Sequence, residues 1–125
     1  MVKDELFYTE THEWIKVEGK IATMGITDYA QKELGDIVYV ELPEVDSELT
    51  AGDVLATVEA VKAVEEIYIP LSGIIVEVNE QLTDASDLMN SSPYDEGWIA
   101  KFEISSTDEL EGLLEADEYR KLIGA

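Results

Sequence analysis

The sequence predicts a mainly β protein, a sandwich of short strands with a few helices attached. Short runs rich in β-branched and aromatic residues recur along the chain, and Gly or Pro follows several of them. Helical spacing of apolar residues is clearest over about 28–34 and 106–123. A chain of 125 residues, 46% of them hydrophobic, can bury one core. We therefore expect a single domain over 1–125, with a β-sandwich core over about 15–105.

Charge and composition exclude several classes of function. The formal net charge is −21, so the chain does not bind nucleic acid or anionic lipid by neutralising phosphates. The absence of cysteine excludes thiolate nucleophiles and Cys-based metal sites, and a single histidine excludes a His-rich zinc site. No apolar run could span a bilayer, and the N-terminus shows neither a signal core nor a transit sequence. We expect a soluble protein without a metal site.

The first third of the sequence predicts a hairpin, a helix and a strand. Two apolar runs within 7–26 flank a turn in which Gly19 can adopt a positive φ. A short helix is expected over about 28–34, capped by Thr27 and ended by the glycine that follows it. Residues 37–42 are β-branched and aromatic and predict a strand.

The centre of the sequence predicts a loop followed by three strands. Residues 44–53 have the turn chemistry of a loop. Residues 54–59 form a strand that leads to Lys62, and residues 63–69 form one that leads away from it. Residues 74–78 are the third strand of this region. Lys62 is therefore expected at a turn between two strands.

Side chains in the strand over 63–69 alternate between its two faces. Ile67 and Ile69 share one face, and Glu66 and Tyr68 share the other.

The last part of the sequence predicts one strand and several short helices. Residues 84–90 suit a short helix or turn, and residues 98–104 suit the last strand. Over about 106–123 two helices are expected, the first capped by Thr107 or Ser106 and the second capped by Asp117. We expect both to pack on one side of the sheets.

Lys62 is the residue around which the functional interpretation turns. It is the only basic residue between Lys32 and Lys101. Carboxylates close to it in the sequence keep an amine charged, which opposes use as a nucleophile. Small neighbours, Ala60 and Ala63, leave the amine accessible to a modifying enzyme. These features favour a lysine that carries a covalent group over a catalytic lysine.

Seven segments of the chain match, in order and spacing, those of a known family. The matching segments are Thr11–Trp14, Gly25–Asp28, Leu34–Val45, Val58–Ala63, Ile67–Gly73, Val76–Asn79 and Ser92–Trp98. Through them the chain resembles the H protein of the glycine cleavage system, a lipoyl carrier, from about residue 6 to residue 123.

This resemblance implies a fold and a function. The fold is a single lipoyl-carrier domain, a flattened β-sandwich of the lipoyl/biotinyl type, also called a barrel-sandwich hybrid. By position, Lys62 carries lipoate in amide linkage, attached by a lipoate ligase or octanoyl transferase. The arm takes an aminomethyl group from glycine at a pyridoxal-phosphate decarboxylase (P protein) and presents it to a tetrahydrofolate-dependent aminomethyltransferase (T protein). Dihydrolipoamide dehydrogenase (L protein) reoxidises the arm, and the H protein itself catalyses nothing.

The resemblance also implies a site, and expectations of location and oligomeric state accompany it. It places Thr11, Glu13 and Glu66 beside the arm, where carboxylates pair with the amine of the cargo. Glu33 is expected nearer the rim of this cleft. His12, the sole histidine, is expected to order the N-terminal strand by a side-chain hydrogen bond and not to catalyse. The expected location is the cytoplasm of a prokaryote, a mature mitochondrial form being the alternative, and the expected state is a monomer.

Departures from the family pattern leave other functions open. Ala60 stands where the family usually has Ser, and Glu65 and Glu66 replace a Ser-Asp pair. These changes allow an H-like relay that donates lipoate to 2-oxoacid dehydrogenases or to another complex. A biotin carrier is a further alternative, although biotin carriers usually frame the lysine as Met-Lys-Met. An enzyme and an unmodified interaction protein complete the alternatives.

Overall fold

The computed structural model describes residues 2–124 as two antiparallel β-sheets with helices at their ends. One sheet has three strands, β4 (Ile37–Glu41), β6 (Val54–Ala60) and β7 (Val64–Tyr68), in the order β4-β6-β7. The other sheet has the order β1-β2-β3-β9-β8-β5. Its strands are β1 (Phe7–Tyr8), β2 (Glu13–Glu18), β3 (Ile21–Ile26), β5 (Glu48–Leu49), β8 (Gly73–Val78) and β9 (Ala100–Ile104).

The first hairpin and the first helix form where local sequence places them. Strands β2 and β3 pair antiparallel from Glu18↔Ile21 onward, and Gly19 has a φ of 65° in the turn between them. Helix α1 spans Asp28–Leu34. The Thr27 hydroxyl accepts a hydrogen bond from the Ala30 N–H at 3.2 Å, as an N-cap does. The predicted hairpin and helix are confirmed.

The main hydrophobic core lies between the two sheets. Ile15 and Phe102 enter it from the six-stranded sheet, and Val58 and Ile67 enter it from the three-stranded sheet. All four side chains are buried, whereas Tyr68, the neighbour of Ile67 in β7, is exposed. The predicted alternation in β7 is therefore confirmed, and with it the mainly β sandwich.

A second hydrophobic cluster joins the two ends of the described chain. Helix α4 (Ala116–Ile123) packs on β1 and places Tyr119 against Tyr8, with stacked rings whose centroids lie 4.5 Å apart. Trp14 of β2 completes this cluster, and its indole N–H donates to the Pro93 carbonyl at 2.8 Å. The chain end is thereby fixed beside the start of β2.

Several boundaries differ from those predicted. The expected loop over 44–53 contains the two-residue strand β5, which is specified by its pairing with β8 and is too short to show a period in the sequence. The sequence predicts one helix or turn over 84–90, but this range lies across two helices of four residues each, α2 (Gln81–Asp84) and α3 (Leu88–Ser91), with a break between them. Strand β9 begins at Ala100, two residues later than expected.

The two C-terminal helices also differ in detail. The first is a 3₁₀-helix over Thr107–Gly112, and the Ser106 hydroxyl caps it by accepting from the Asp108 N–H. The predicted cap at Asp117 is wrong, since α4 begins earlier and Glu115 is its N-cap in a capping box with Glu118. Asp117 lies in the first turn, where a negative charge still favours the helix. Of the helices within 2–124, none has the length and apolar character required to cross a membrane.

The close contact of β8 with β9 predicts a strict requirement for glycine at position 73. A Cβ there would lie 2.3 Å from the carbonyl oxygen of Glu103. We expect Gly73→Ala to lower the free energy of unfolding by about 1–3 kcal/mol, the usual cost of overpacking, as measured by urea denaturation. Gly112→Ala is the matched control, because a Cβ at that position meets nothing within 4 Å. Equal stability of the two variants would contradict this contact.

Candidate functional site

Lys62 lies at the tip of the β6–β7 hairpin. The Ala60 N–H donates to the Ala63 carbonyl at 2.9 Å and closes the turn. The Val61 N–H donates to the Asp36 carbonyl, also at 2.9 Å, and ties the turn to the chain that follows α1. The hairpin tip is therefore held from two directions, and its fixed backbone presents one exposed lysine.

The Lys62 side chain runs past Gly35. A Cβ at position 35 would lie 3.3 Å from Lys62 Cε, so a residue with a side chain there would crowd the lysine stem. Within the described residues, Lys62 forms no ion pair with a carboxylate. Its ammonium group is accessible to a protein that attaches a group to it.

A cleft of about 380 Å³ opens beside this hairpin, between β7, helix α1 and the loop that precedes β2. Ala63, which follows the lysine, is part of its wall, so the cleft begins next to Lys62. The apolar side chains of Ile67 and Leu34 form the floor of the cleft. Its polar and acidic side chains are those of Thr11, His12, Glu33 and Glu65.

Glu13 lies behind Thr11 and is 2% exposed. The hydroxyl groups of Thr9 and Thr11 both donate to its Oε1, the latter at 2.6 Å. Burial raises the pKa of the Glu13 carboxyl, the two threonine hydrogen bonds oppose this rise, and the nearby charge of Glu65 adds to it. Thr11 thus contacts both the cleft and the buried carboxyl group.

Glu66 has a different position from the other predicted site residues. It is exposed on the outer face of the three-stranded sheet, where the Tyr68 hydroxyl donates to its Oε1 at 3.4 Å. Glu65, one residue earlier, faces the cleft. The structure therefore brings Thr11 and Glu13 together at the cleft but does not place Glu66 in its wall.

His12 forms one side of the cleft in an uncommon backbone conformation, with a φ of 70°. Its Nδ1 lies 2.9 Å from the Tyr119 hydroxyl, and its ring centroid lies 4.6 Å from that of Tyr29. The hydrogen bond therefore ties the loop before β2 to helix α4. Burial lowers the pKa of His12, against a smaller opposing effect of Glu33, so the fold favours the neutral form of the ring.

The sequence and the fold are both similar to those of known proteins. The family model described as "Glycine cleavage H-protein" matches residues 6–125. The glycine cleavage system H proteins of two Staphylococcus epidermidis strains are each 55% identical over 123 residues, 98% of this chain and 98% of the relative. The crystal structure of a glycine cleavage system H protein from Mycobacterium marinum superposes with a TM-score of 0.90 at 35% identity, covering 99% of this chain and 100% of that one.

The chain belongs to the glycine cleavage H-protein family. The resemblance of the motifs is thereby confirmed, and so is the lipoyl-type β-sandwich, since a solved H protein has the same fold. The role that follows is that of a lipoyl carrier in the glycine cleavage system. A relay that donates lipoate elsewhere is not favoured.

Sequence reasoning missed three contributors to the site. Glu65 could have been found, because it shares a face of β7 with Ile67. Asp36 contributes a backbone carbonyl, which no side-chain pattern reveals. Tyr119 is 107 residues from the histidine that it contacts, and no local signal connects them.

The single histidine provides a direct test of the environment in the cleft. The groups that face it are Tyr29, Glu33 and Tyr119, and burial is the dominant effect, so we expect the pKa of His12 to lie below 6.5. The unfolded chain binds a proton at His12 at a higher pH than the folded chain does, so protonation favours unfolding. The contribution of His12 to stability is therefore lost as pH falls from 6.5 towards the folded-state pKa. Imidazole NMR signals measured against pH give the folded value.

Urea unfolding at several pH values provides the second measurement. The stability difference between the wild type and His12→Gln should rise with pH across that window. A folded-state pKa at or above 6.5 would contradict the burial described for this ring.

Proposed function

We propose that Lys62 carries lipoate in amide linkage and that the cleft beside it shelters the end of the arm. The observation that supports this most directly is the exposed lysine on a doubly tethered hairpin tip, next to a cleft with acidic side chains. A rigid attachment point limits the entropy lost when a partner docks on the hairpin.

The residues present fit a lipoyl group. Ile67 and Leu34 give the cleft an apolar floor that suits the hydrocarbon part of the arm. Glu33 and Glu65 give it carboxylates that suit an amine. When bound, lipoate supplies the disulfide that accepts the aminomethyl group of glycine.

The protein's own residues bind and orient the cargo and exclude water from it. The carboxylates of Glu33 and Glu65 pair with the cargo amine, while Thr11 adds a hydroxyl at the cleft wall. Glu13 orients Thr11 through the hydrogen bond between them. His12, in the neutral form that the fold favours, places no positive charge against the amine. Shelter within the cleft slows loss of the group to water.

The family implies a specific set of partners. We propose that the chain meets the P, T and L proteins of the glycine cleavage system and a lipoate ligase or octanoyl transferase. A net charge of −21 suits partners with basic docking surfaces and opposes self-association, which supports a monomer. The relatives from Staphylococcus epidermidis support a bacterial cytoplasmic location. The partners perform the catalysis, and the chain carries the group between them.

Attachment at Lys62 is tested by intact mass and peptide mapping of protein from cells that attach lipoate. We expect a lipoyl adduct on the peptide that contains Lys62 and none in Lys62→Arg. The melting temperature should be nearly unchanged in this variant, because the side chain is exposed and arginine has a stem of similar length with an unbranched atom beside Gly35. Lys32→Arg is the control and should retain the adduct.

Two results would overturn the assignment of Lys62. One is biotin on this peptide, and the other is an unmodified peptide in cells with an active lipoate-attaching enzyme. If the adduct is present, the lipoylated protein should also support exchange between glycine and bicarbonate by the decarboxylase. Lack of exchange at any protein concentration would contradict the role in glycine cleavage.

A matched pair of substitutions tests which carboxylate shelters the cargo. Glu65→Gln and Glu66→Gln change adjacent residues in the same way, but only position 65 faces the cleft. We expect Glu65→Gln to shorten the lifetime of the carried aminomethyl group in water by up to roughly five-fold, equivalent to about 1 kcal/mol for a solvent-accessible ion pair. Glu66→Gln should leave it unchanged. The reverse result would support the position that the resemblance implies for Glu66.

A further inference from the structure

Tyr119 brings the C-terminal helix into contact with the base of the cleft. Its hydroxyl lies 2.9 Å from His12 Nδ1 and 2.7 Å from Thr27 Oγ1. Both Tyr119 and Thr27 are fully buried. One phenol therefore connects the cap of helix α1 with the histidine at the cleft.

The order of the protons along this connection follows from the surroundings of Thr27. Its oxygen already accepts from the Ala30 N–H at 3.2 Å, so its own proton requires a separate acceptor. Among the described residues, the Tyr119 oxygen is the hydrogen-bond acceptor within reach of that proton. Thr27 therefore donates to Tyr119, and Tyr119 donates to His12 Nδ1. The opposite order would leave a buried hydroxyl proton without an acceptor, which is unfavourable.

This order fixes the tautomer of His12. Since Nδ1 accepts a hydrogen bond, the proton of the neutral ring is on Nε2. Within 2–124, every buried side-chain nitrogen or oxygen atom has a hydrogen-bond partner. His12 Nε2 has no protein partner among these residues, so it is not one of the buried atoms. This edge of the ring is therefore accessible. The ring is part of the cleft wall, and Nδ1 is turned towards Tyr119. Tyr119 is not among the residues that line the cleft, so the Nε2–H edge is the edge of the ring available to a group seated there.

The backbone of His12 is held as firmly as its ring. The His12 N–H donates to the Thr9 carbonyl at 3.2 Å, and the His12 carbonyl accepts from the Thr27 N–H at 3.0 Å. Tyr29 and Tyr119 lie against the ring at centroid distances of 4.6 and 5.7 Å. Such contacts hold a non-glycine residue at positive φ, a feature that is often found at functional sites.

We propose that His12 is a hydrogen-bond donor of the cleft and that Tyr119 is its positioning residue. His12 presents Nε2–H to a neutral acceptor atom of the seated arm, an amide oxygen or a sulfur. Tyr119, through its bonds to His12 and Thr27, selects this tautomer and holds the ring in place. The part that concerns the arm rests on the proposed attachment of lipoate, whereas the part that concerns the tautomer does not.

The first experiment uses the unmodified protein and the sole histidine as a probe. Imidazole ¹⁵N chemical shifts above the pKa report which ring nitrogen is protonated. We expect Nε2–H to dominate in the wild type by about five to one, the ratio that one hydrogen bond of ordinary net strength gives. Tyr119→Phe should shift the population towards Nδ1–H. Thr27→Ser keeps a hydroxyl at the same place and should retain the wild-type tautomer.

Tyr8→Phe is the matched control. It makes the same chemical change in the ring that stacks on Tyr119, but the Tyr8 hydroxyl bonds to the Lys3 backbone and not to His12. Its ¹⁵N shifts should equal those of the wild type. Nδ1–H in the wild type, or unchanged shifts in Tyr119→Phe, would overturn the proposal.

The second experiment addresses the arm. In lipoylated protein loaded by the decarboxylase with glycine, the Nε2 resonance of His12 should differ from that of the unloaded protein. The carried aminomethyl group should also be lost to water faster in Tyr119→Phe than in Tyr8→Phe. If loading leaves the Nε2 resonance unchanged and the two variants lose the aminomethyl group at equal rates, the donor role is overturned. This holds even if the first experiment confirms the tautomer. Lack of an adduct at Lys62 would instead refute the proposed function, and the tautomer result would still decide the role of Tyr119.

Discussion

The burial of Ile67 fixes the register of β7, and the geometry of the site depends on that register. Ile67 is 2% exposed and lies opposite Ala56 of β6, so its side chain fills the space between the sheets. A slip of one residue would move Ile67 to the solvent and reverse the faces of its neighbours. Glu65 would then leave the cleft and Glu66 would enter it. The apolar core thus determines which carboxylate can meet a cargo held beside Lys62.

A carboxylate-lined cleft carries an electrostatic cost that the fold offsets locally. Glu13 is removed from water almost completely, and two threonine hydroxyls supply the hydrogen bonds that it loses. Glu65 lies close enough to raise the pKa of the Glu13 carboxyl further. A cationic amine in this cleft would relieve the repulsion between such groups, so under the proposed function the carboxylates favour a loaded arm over an empty one.

Local signals in the sequence predicted the elements, and contacts between distant segments determined the details of the site. The hairpin turn at Gly19, the cap at Thr27 and the position of Lys62 each depend on a few adjacent residues. The strand β5 exists only because β8 offers it a partner. The start of α4 was misplaced because Asp117 is a common N-cap residue, whereas the observed N-cap, Glu115, acts through a capping box with Glu118. The contact of Tyr119 with His12 has no local signal, since it requires the folded chain to bring α4 to β1.

That last contact changes how the C-terminal helix is understood. Helix α4 lies outside the sandwich, in a hydrophobic cluster separate from the main core. Through Tyr119 it nevertheless reaches a cap of α1 and the histidine of the cleft wall. Helix α1 and the hairpin are in turn joined through Gly35 and Asp36, next to Lys62. The proposed attachment point and the cleft beside it are thus fixed to one another through α1, and α4 holds the histidine in the wall of the cleft.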